Sequence, residues 1–175
     1  YLITGSPLSV LDDHDFLDPL YDFIRKCDAA RKPLLGACFG HQAIAVALGG
    51  TVERAPAGWN VGIQPTEFSA FCDWMVPAHN LDFYVFHEDQ VTQLPAGCTT
   101  LGRSGSCAIA SFHKDRHIFT TQAHPEFHDR FMRAVLEDCR ALLTPEAFAS
   151  SWASLDQTAQ GAIFANWADR FFHQS

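Results

Sequence analysis

The chain has 175 residues, of which 47% are hydrophobic, so residues 1–175 are expected to form a single domain with a substantial core. The formal net charge of −8 argues against nucleic acid or an anionic membrane surface as a partner. The sequence also lacks the run of about 18 apolar residues that a membrane-spanning helix needs. Its six cysteines have no paired spacing, which predicts free thiols and a cytoplasmic location.

The first third of the chain predicts an alternation of strands and helices. Residues 1–4 predict a strand, and Asp18-Pro19 predicts the N-cap and first residue of a helix that ends near residues 31–32. The apolar pair at 34–35 then begins a second strand. This β–α–β–α order favours an α/β fold with a doubly wound, mostly parallel sheet and helices on both faces. Ligands bind such sheets at the carboxyl ends of the strands.

A cysteine lies at that end of the second strand, in a turn rich in glycine. Gly36 and Gly40 flank Cys38 at two-residue spacing, and residues 43–48 then form an apolar helix. Side chains at the two glycines would clash with neighbouring backbone in a sharp strand-to-helix turn. The pattern is that of a nucleophile elbow, in which the start of a helix favours the thiolate of Cys38. The alternative is a buried cysteine in an ordinary β–α turn.

A histidine and a glutamate that could serve this cysteine occur far along the chain. Pro125 keeps His124 out of helical geometry, and residues two apart in an extended chain face the same side. His124 and Glu126 are therefore candidates for one site, with Cys38 as nucleophile, His124 as general base and acid, and Glu126 as the group that orients the imidazole. The alternative is a histidine that ends a strand and a glutamate that begins a helix.

Strands and helices are also predicted between and after these motifs. His87 and Asp89 at the end of one strand provide two metal-ligand types only, so no metal site is predicted. The predicted elements are strands at 51–54, 59–63 and 81–86, a hairpin of 107–112 with 117–122, and helices at 127–143, from 144 onward and around 163–171.

On these motifs the chain resembles the class I glutamine amidotransferases, in particular their GMP-synthase-like stand-alone branch. The resemblance runs from about residue 1 to residue 127 and depends on the segments 36–42, 58–62, 87–91 with 94–95, and 124–126. It implies the α/β fold described above. It also implies a strand–helix unit before Tyr1, which the chain as given lacks.

The resemblance also implies donors for an oxyanion hole. One is the backbone N–H of Phe39, which follows the nucleophile. The other comes from a Gly-Gly-Pro turn in the family. Aligned on Pro7, this donor is Ser6, where serine replaces the family's second glycine, and Gly5 is the backup candidate.

Three further residues are implied at the substrate. Gln42, just beyond the elbow, is expected to contact it, and Gly62 is expected where the chain approaches the glutamine pocket closely. Asp89 is expected to contact the substrate amino group, although its carboxylate could instead cap backbone N–H groups of its own loop.

The implied activity is hydrolysis of the γ-amide of glutamine through a γ-glutamyl thioester, which releases glutamate and ammonia without a cofactor. The sequence contains no ATP-binding signature, so the ammonia acceptor is expected on another chain, a synthase partner. Association with a second copy of the chain stays open. Two alternatives remain: a γ-glutamyl peptidase that acts on glutathione-like peptides, and a non-catalytic binding module with the same fold.

Overall fold

The computed structural model of the protein describes residues 1–173. Within them, seven strands form one sheet in the order β1-β2-β9-β8-β7-β4-β5, and β3 pairs with β6 in a separate two-stranded sheet. The strands are β1 (Leu2–Ile3), β2 (Leu34–Ala37), β3 (Thr51–Arg54), β4 (Asn60–Phe68), β5 (Leu81–His87), β6 (Asp89–Gln93), β7 (Thr99–Arg103), β8 (Ser111–Lys114) and β9 (Ile118–Thr121).

The fold is α/β, as predicted, but the large sheet is mixed rather than mostly parallel. β2 pairs in parallel with β1 on one side and with β9 on the other. The neighbours from β9 through β8, β7 and β4 to β5 all pair antiparallel. The difference arises because parallel neighbours need a crossover connection, whereas the short link between β8 and β9 reverses the chain directly. The parallel part is therefore confined to the strands around the elbow.

The helices cover both faces of this sheet, as expected. Leu34 and Leu35 are adjacent in β2, yet they belong to different hydrophobic clusters, because successive strand residues face opposite sides. Leu34 packs with residues of the first two helices, and Leu35 packs with aromatic residues of the last helix. A third cluster joins the strands β4 and β5 to the two helices that precede the last one.

The helices in the described part of the chain are α1 (Leu17–Ala29), α2 (Phe39–Ala47), α3 (Asp129–Asp138), a 3-10 turn (Arg140–Leu142), α4 (Pro145–Ser154) and α5 (Gly161–Phe172). None of them combines the length and apolar character that crossing a membrane requires.

Two predicted helix starts have different outcomes. Thr144 is the N-cap of α4, where its side chain accepts a hydrogen bond from the N–H of Ala147 at 3.2 Å; this confirms the predicted start. For α1 the predicted N-cap was wrong. Phe16 is the N-cap, and its side chain makes no capping hydrogen bond. Asp18 therefore lies inside the first turn, where its carboxylate still interacts favourably with the positive end of the helix.

Candidate active site

The turn between β2 and α2 holds Cys38 in an unusual backbone conformation. Its φ is +48° and its ψ is −104°, a region that residues other than glycine seldom occupy and that concentrates at functional sites. The N–H of Cys38 donates to the carbonyl of Thr121 in β9 at 2.8 Å. A Cβ on Gly36 would lie 2.6 Å from the carbonyl oxygen of Gly40, and one on Gly40 would collide with the carbonyl of Ile3. The predicted requirement for glycine on both sides of the turn is therefore confirmed.

The strand adjacent to β2 brings His124 to the same edge of the sheet. β9 pairs in parallel with β2 up to the pair Ala37 and Thr121, so both strands end at the same edge of the sheet. The N–H of His124 donates to the carbonyl of Tyr84 in β5 at 2.8 Å. In this position the His124 side chain lies beside that of Cys38, which raises the pKa of the imidazole.

The imidazole of His124 lies between a thiol and a carboxylate. Its Nδ1 is 2.7 Å from Oε1 of Glu126, and its ring stacks on that of Phe127 with centroids 4.0 Å apart and planes at 14°. Burial alone would lower the pKa of His124, but hydrogen bonds and charge from Cys38 and Glu126 outweigh it and raise the pKa to about 9. The arrangement favours an imidazolium beside the sulfur.

The turn after β1 packs directly onto these two side chains. A Cβ on Gly5 would lie 2.7 Å from Cε1 of His124 and 3.6 Å from Cβ of Cys38, so only glycine fits there. Ser6 lines the cavity beside the elbow, and its Oγ accepts a hydrogen bond from the N–H of Leu8 at 3.1 Å. Phe39 is the first residue of α2, where the backbone N–H has no acceptor within the helix. The three predicted oxyanion-hole residues thus surround the elbow.

A cavity of about 320 Å³ opens beside Cys38, which is at the lower end of the range of about 300–1,000 Å³ usual for small-molecule sites. Its lining comes from the turn after β1, the start of α2, the end of β3, the residue before β4, the β5–β6 junction and the segment after α3: Ser6, Pro7, Leu8, Ser9, Asp12, Cys38, Phe39, Gln42, Arg54, Trp59, Phe86, His87, Glu88, Asp89, Cys139 and Leu142.

Asp89 lies in this lining, and its side chain is 12% exposed. Its carboxylate accepts a hydrogen bond from the hydroxyl of Ser9, and its Oδ1 is 3.7 Å from Nε of Arg54. The alternative prediction, a carboxylate that caps backbone N–H groups of its own loop, does not describe these contacts. The carboxylate faces the cavity beside a cation and a hydroxyl from other segments.

Gln42 also lines the cavity, but its amide nitrogen is engaged within the protein. It donates to the carbonyl of Asp89 at 2.8 Å and to Oε1 of Gln122 at 3.2 Å. The Nε2 of Gln122 is in turn 3.6 Å from the sulfur of Cys38. Gln122 is not among the site residues predicted from the sequence, although the two-residue alternation that pairs His124 with Glu126 extends back to it.

Gly62 is not among the residues that line this cavity. A Cβ there would collide with Oγ of Ser154 and would lie 3.2 Å from the carbonyl oxygen of Ser151. Both serines belong to α4, and the φ of Gly62 is +108°. The close packing of α4 against β4 is by itself enough to require glycine at this position.

Two other buried histidines lie near the elbow and are neutral. Burial lowers the pKa of His41 to about 3 and that of His87 to about 4. His41 Nδ1 is 2.9 Å from the hydroxyl of Thr120, and His87 Nδ1 is 3.0 Å from the carbonyl of Asp89. Among residues 1–173 no group of three or more His, Cys, Asp or Glu side chains could hold a metal ion.

Residues 2–140 match the family model described as Glutamine amidotransferase class-I. The chain belongs to the class I glutamine amidotransferase family. This confirms the resemblance deduced from the elbow and the His-Pro-Glu motif, and it places the protein in a family of enzymes.

Relatives that are named for different activities share this domain. Gamma-glutamyl peptidase 3 of Arabidopsis thaliana is 31% identical over 169 residues, which cover 91% of this chain and 68% of that protein. The glutamine-hydrolyzing GMP synthase of Actinobacillus succinogenes is 33% identical over 133 residues, or 71% of this chain and 24% of that protein. The crystal structure of a glutamine amido transferase from Methylobacillus flagellatus aligns with a TM-score of 0.79 at 24% identity, covering 96% of this chain and 72% of that one; it supports the fold.

Proposed function

We propose that the protein hydrolyses the γ-amide of glutamine with Cys38, His124 and Glu126 as its catalytic triad. One observation carries this proposal: the imidazole of His124 lies beside Cys38 and is hydrogen-bonded to Glu126, next to a cavity of about 320 Å³. An activated nucleophile needs a base within hydrogen-bond reach and a third group that orients this base.

The proposed reaction begins with attack of the Cys38 sulfur on the amide carbon. The N–H of Phe39, with that of Ser6 or Gly5, stabilises the developing oxyanion. The imidazolium of His124 protonates the leaving nitrogen, so that ammonia departs and a γ-glutamyl thioester remains on Cys38. Water deprotonated by His124 then attacks the thioester, glutamate leaves, and the sulfur returns to the thiolate.

Recognition of glutamine is proposed at the β5–β6 side of the cavity. The carboxylate of Asp89 faces the cavity there and provides negative charge for the substrate ammonium group. Arg54, which also lines the cavity, provides positive charge near the same place. For Gln42 we propose an indirect role, because its amide nitrogen already has two acceptors.

The ammonia is proposed to pass to an acceptor on another chain, a synthase. Support comes from the GMP synthase relative, because the segment that matches this chain makes up only 24% of that protein. No cofactor is part of the proposed hydrolysis.

Replacement of Cys38 by alanine tests the reaction. We expect Cys38→Ala to reduce glutamate release from glutamine by at least about a thousandfold, because the thioester cannot form. Cys72→Ala is the matched control and keeps wild-type release, since Cys72 lies in a different part of the core. Equal release by wild type and Cys38→Ala would contradict the triad. A folded wild type without any turnover would favour the binding module.

A second candidate activity is hydrolysis of γ-glutamyl peptides, with an amino acid or peptide in place of ammonia as the leaving group. The relationship to gamma-glutamyl peptidase 3 supports it. So does the extent of the cavity, which continues from the elbow to Trp59 and Leu142 and leaves room for a larger leaving group. The kcat/KM values for glutamine and for a γ-glutamyl dipeptide, measured on the same preparation, decide between the two substrates.

A further inference from the structure

A chain of three hydrogen bonds, the last two of them buried, leads from the β5–β6 junction to the sulfur of Cys38. It runs from the carbonyl of Asp89 through the amides of Gln42 and Gln122. Gln42 is 4% exposed and Gln122 is 1% exposed, so solvent does not replace these contacts. The proposed triad assigns no role to either amide.

The direction of every bond in this chain follows from its first member. A backbone carbonyl oxygen only accepts hydrogen bonds, so the Gln42 atom that lies 2.8 Å from the Asp89 oxygen must be the amide nitrogen. The same nitrogen has a second hydrogen, which it donates to Gln122 at 3.2 Å. The Gln122 atom that faces Gln42 must therefore be the amide oxygen.

With its oxygen fixed in this way, Gln122 can present only its amide nitrogen to Cys38. The nitrogen lies 3.6 Å from the sulfur, and the backbone N–H of Gln122 is anchored separately to the carbonyl of Ala110 at 2.7 Å. A thiolate accepts hydrogen bonds, and bonds to ionised acceptors are roughly twice as strong as neutral ones.

We propose that Gln122 stabilises the thiolate of Cys38 by donating an amide hydrogen to its sulfur, and that Gln42 is the positioning residue that holds Gln122 in this orientation. The inference rests on the proposed role of Cys38 as nucleophile and adds a second donor beside His124. It also gives Gln42 a role in the site other than substrate contact.

The test is the pH profile of Cys38 alkylation by iodoacetamide, followed by mass spectrometry of the peptide that contains Cys38. Gln122→Met keeps a similar side-chain length and removes the donor. We expect the labelling rate at pH 6 to fall roughly tenfold and the midpoint of the profile to rise by about one pH unit. In steady-state assays we expect kcat to fall while KM stays the same. Gln42→Met is expected to change labelling in the same direction by about threefold, because Gln122 remains but loses its orientation.

Two further variants separate this effect from loss of packing. Gln122→Glu keeps the shape but places a carboxylate beside the sulfur, so its labelling at pH 6 should fall below that of Gln122→Met. Ser111→Ala removes a buried hydrogen bond to the carbonyl of Thr120, at 2.6 Å, outside the amide chain, and its profile should coincide with that of wild type.

Circular dichroism and thermal unfolding establish that each variant is folded. Folded Gln122→Met and Gln42→Met proteins with wild-type profiles would overturn the inference. The alkylation profile needs no turnover, so it tests the inference independently of the proposed hydrolysis. If the wild-type protein released no glutamate but Gln122→Met still shifted the profile, the proposed reaction would be refuted and the role of Gln122 as a donor would stand.

Discussion

At the scale of single residues, the charge of His124 is a balance between its burial and two neighbours. Burial disfavours the imidazolium, whereas Cys38 and Glu126 favour it, and the result is a pKa of about 9. Glu126 is 50% exposed while His124 is 8% exposed, so water partly screens the carboxylate. The thiolate of Cys38 is therefore expected to raise the pKa of His124 more than Glu126 does.

This balance predicts how the pKa of His124 responds to substitution. Cys38→Ala and Glu126→Gln each remove a contribution that raises the pKa, so each should lower it from about 9. In the double variant burial is unopposed, and the pKa should fall below the ordinary value of about 6.5. Titration of the imidazole C–H resonances by NMR measures all three. A pKa that stays near the wild-type value in the double variant would contradict this account.

A residue of the site can be predicted from the sequence when its role depends on contacts with residues nearby in the chain. The elbow and the His124–Glu126 pair follow from spacing alone, because glycine clashes and strand alternation act over a few residues. The packing of α4 on Gly62 could not be predicted in this way, because α4 follows Gly62 by more than 80 residues. The contact of Gln122 with Cys38 depends in the same way on the pairing of β2 with β9, which no local pattern in either strand gives.

At the scale of secondary-structure elements, the elbow is set by backbone packing between β1, β2 and α2. The short β1 passes so close to the start of α2 that Gly40 has no room for a Cβ against the carbonyl of Ile3. Backbone atoms cannot move aside as a flexible side chain can. The geometry of the turn therefore depends on a residue two positions away from the nucleophile.

We expect Gly40→Ala to lower the free energy of unfolding by about 2 kcal/mol or more, because overpacking against backbone forces the elements apart. Gly105→Ala is the matched control: nothing lies within 4 Å of a Cβ there, and its change should stay within about 0.5 kcal/mol. Urea unfolding of the three proteins gives both values. Equal stabilities of the two variants would show that α2 can shift away from β1 without cost.

The elements themselves were predicted better than their arrangement. The strand at Thr51–Arg54 and the start of α4 at Thr144 occur as expected, since strand propensity and capping are local. The order of the strands in the sheet was not predicted, because strands such as β4 and β7 pair although their paired residues are more than 30 positions apart in the chain. The prediction of a mostly parallel sheet extended the β–α–β pattern of the first third to strands such as β4, β5 and β7, which pair antiparallel.

At the scale of the whole molecule, the environments of the thiols differ. All six cysteines are free. Burial raises the pKa of Cys72, Cys98 and Cys107 to about 11, which leaves little thiolate near neutral pH. Cys38, in contrast, lies beside the imidazole of His124.

The protein should therefore show one fast-reacting thiol among these four. With limiting iodoacetamide at pH 7, we expect Cys38 to be labelled at least about tenfold faster than Cys72, Cys98 or Cys107, because the thiolate is the reactive form. Peptide mass spectrometry over time gives the individual rates. His124→Gln should remove most of the difference and leave the other three unchanged; uniform labelling in wild type would contradict the prediction.

Asp89 contributes to the molecule in two ways at once. Its carboxylate faces the cavity, and its backbone oxygen receives the amide of Gln42 and the imidazole of His87. A ligand that displaced this residue would also displace the oxygen on which both buried side chains depend. Occupancy of the cavity and protonation of the Cys38 sulfur would then be thermodynamically linked, because both depend on the position of Asp89.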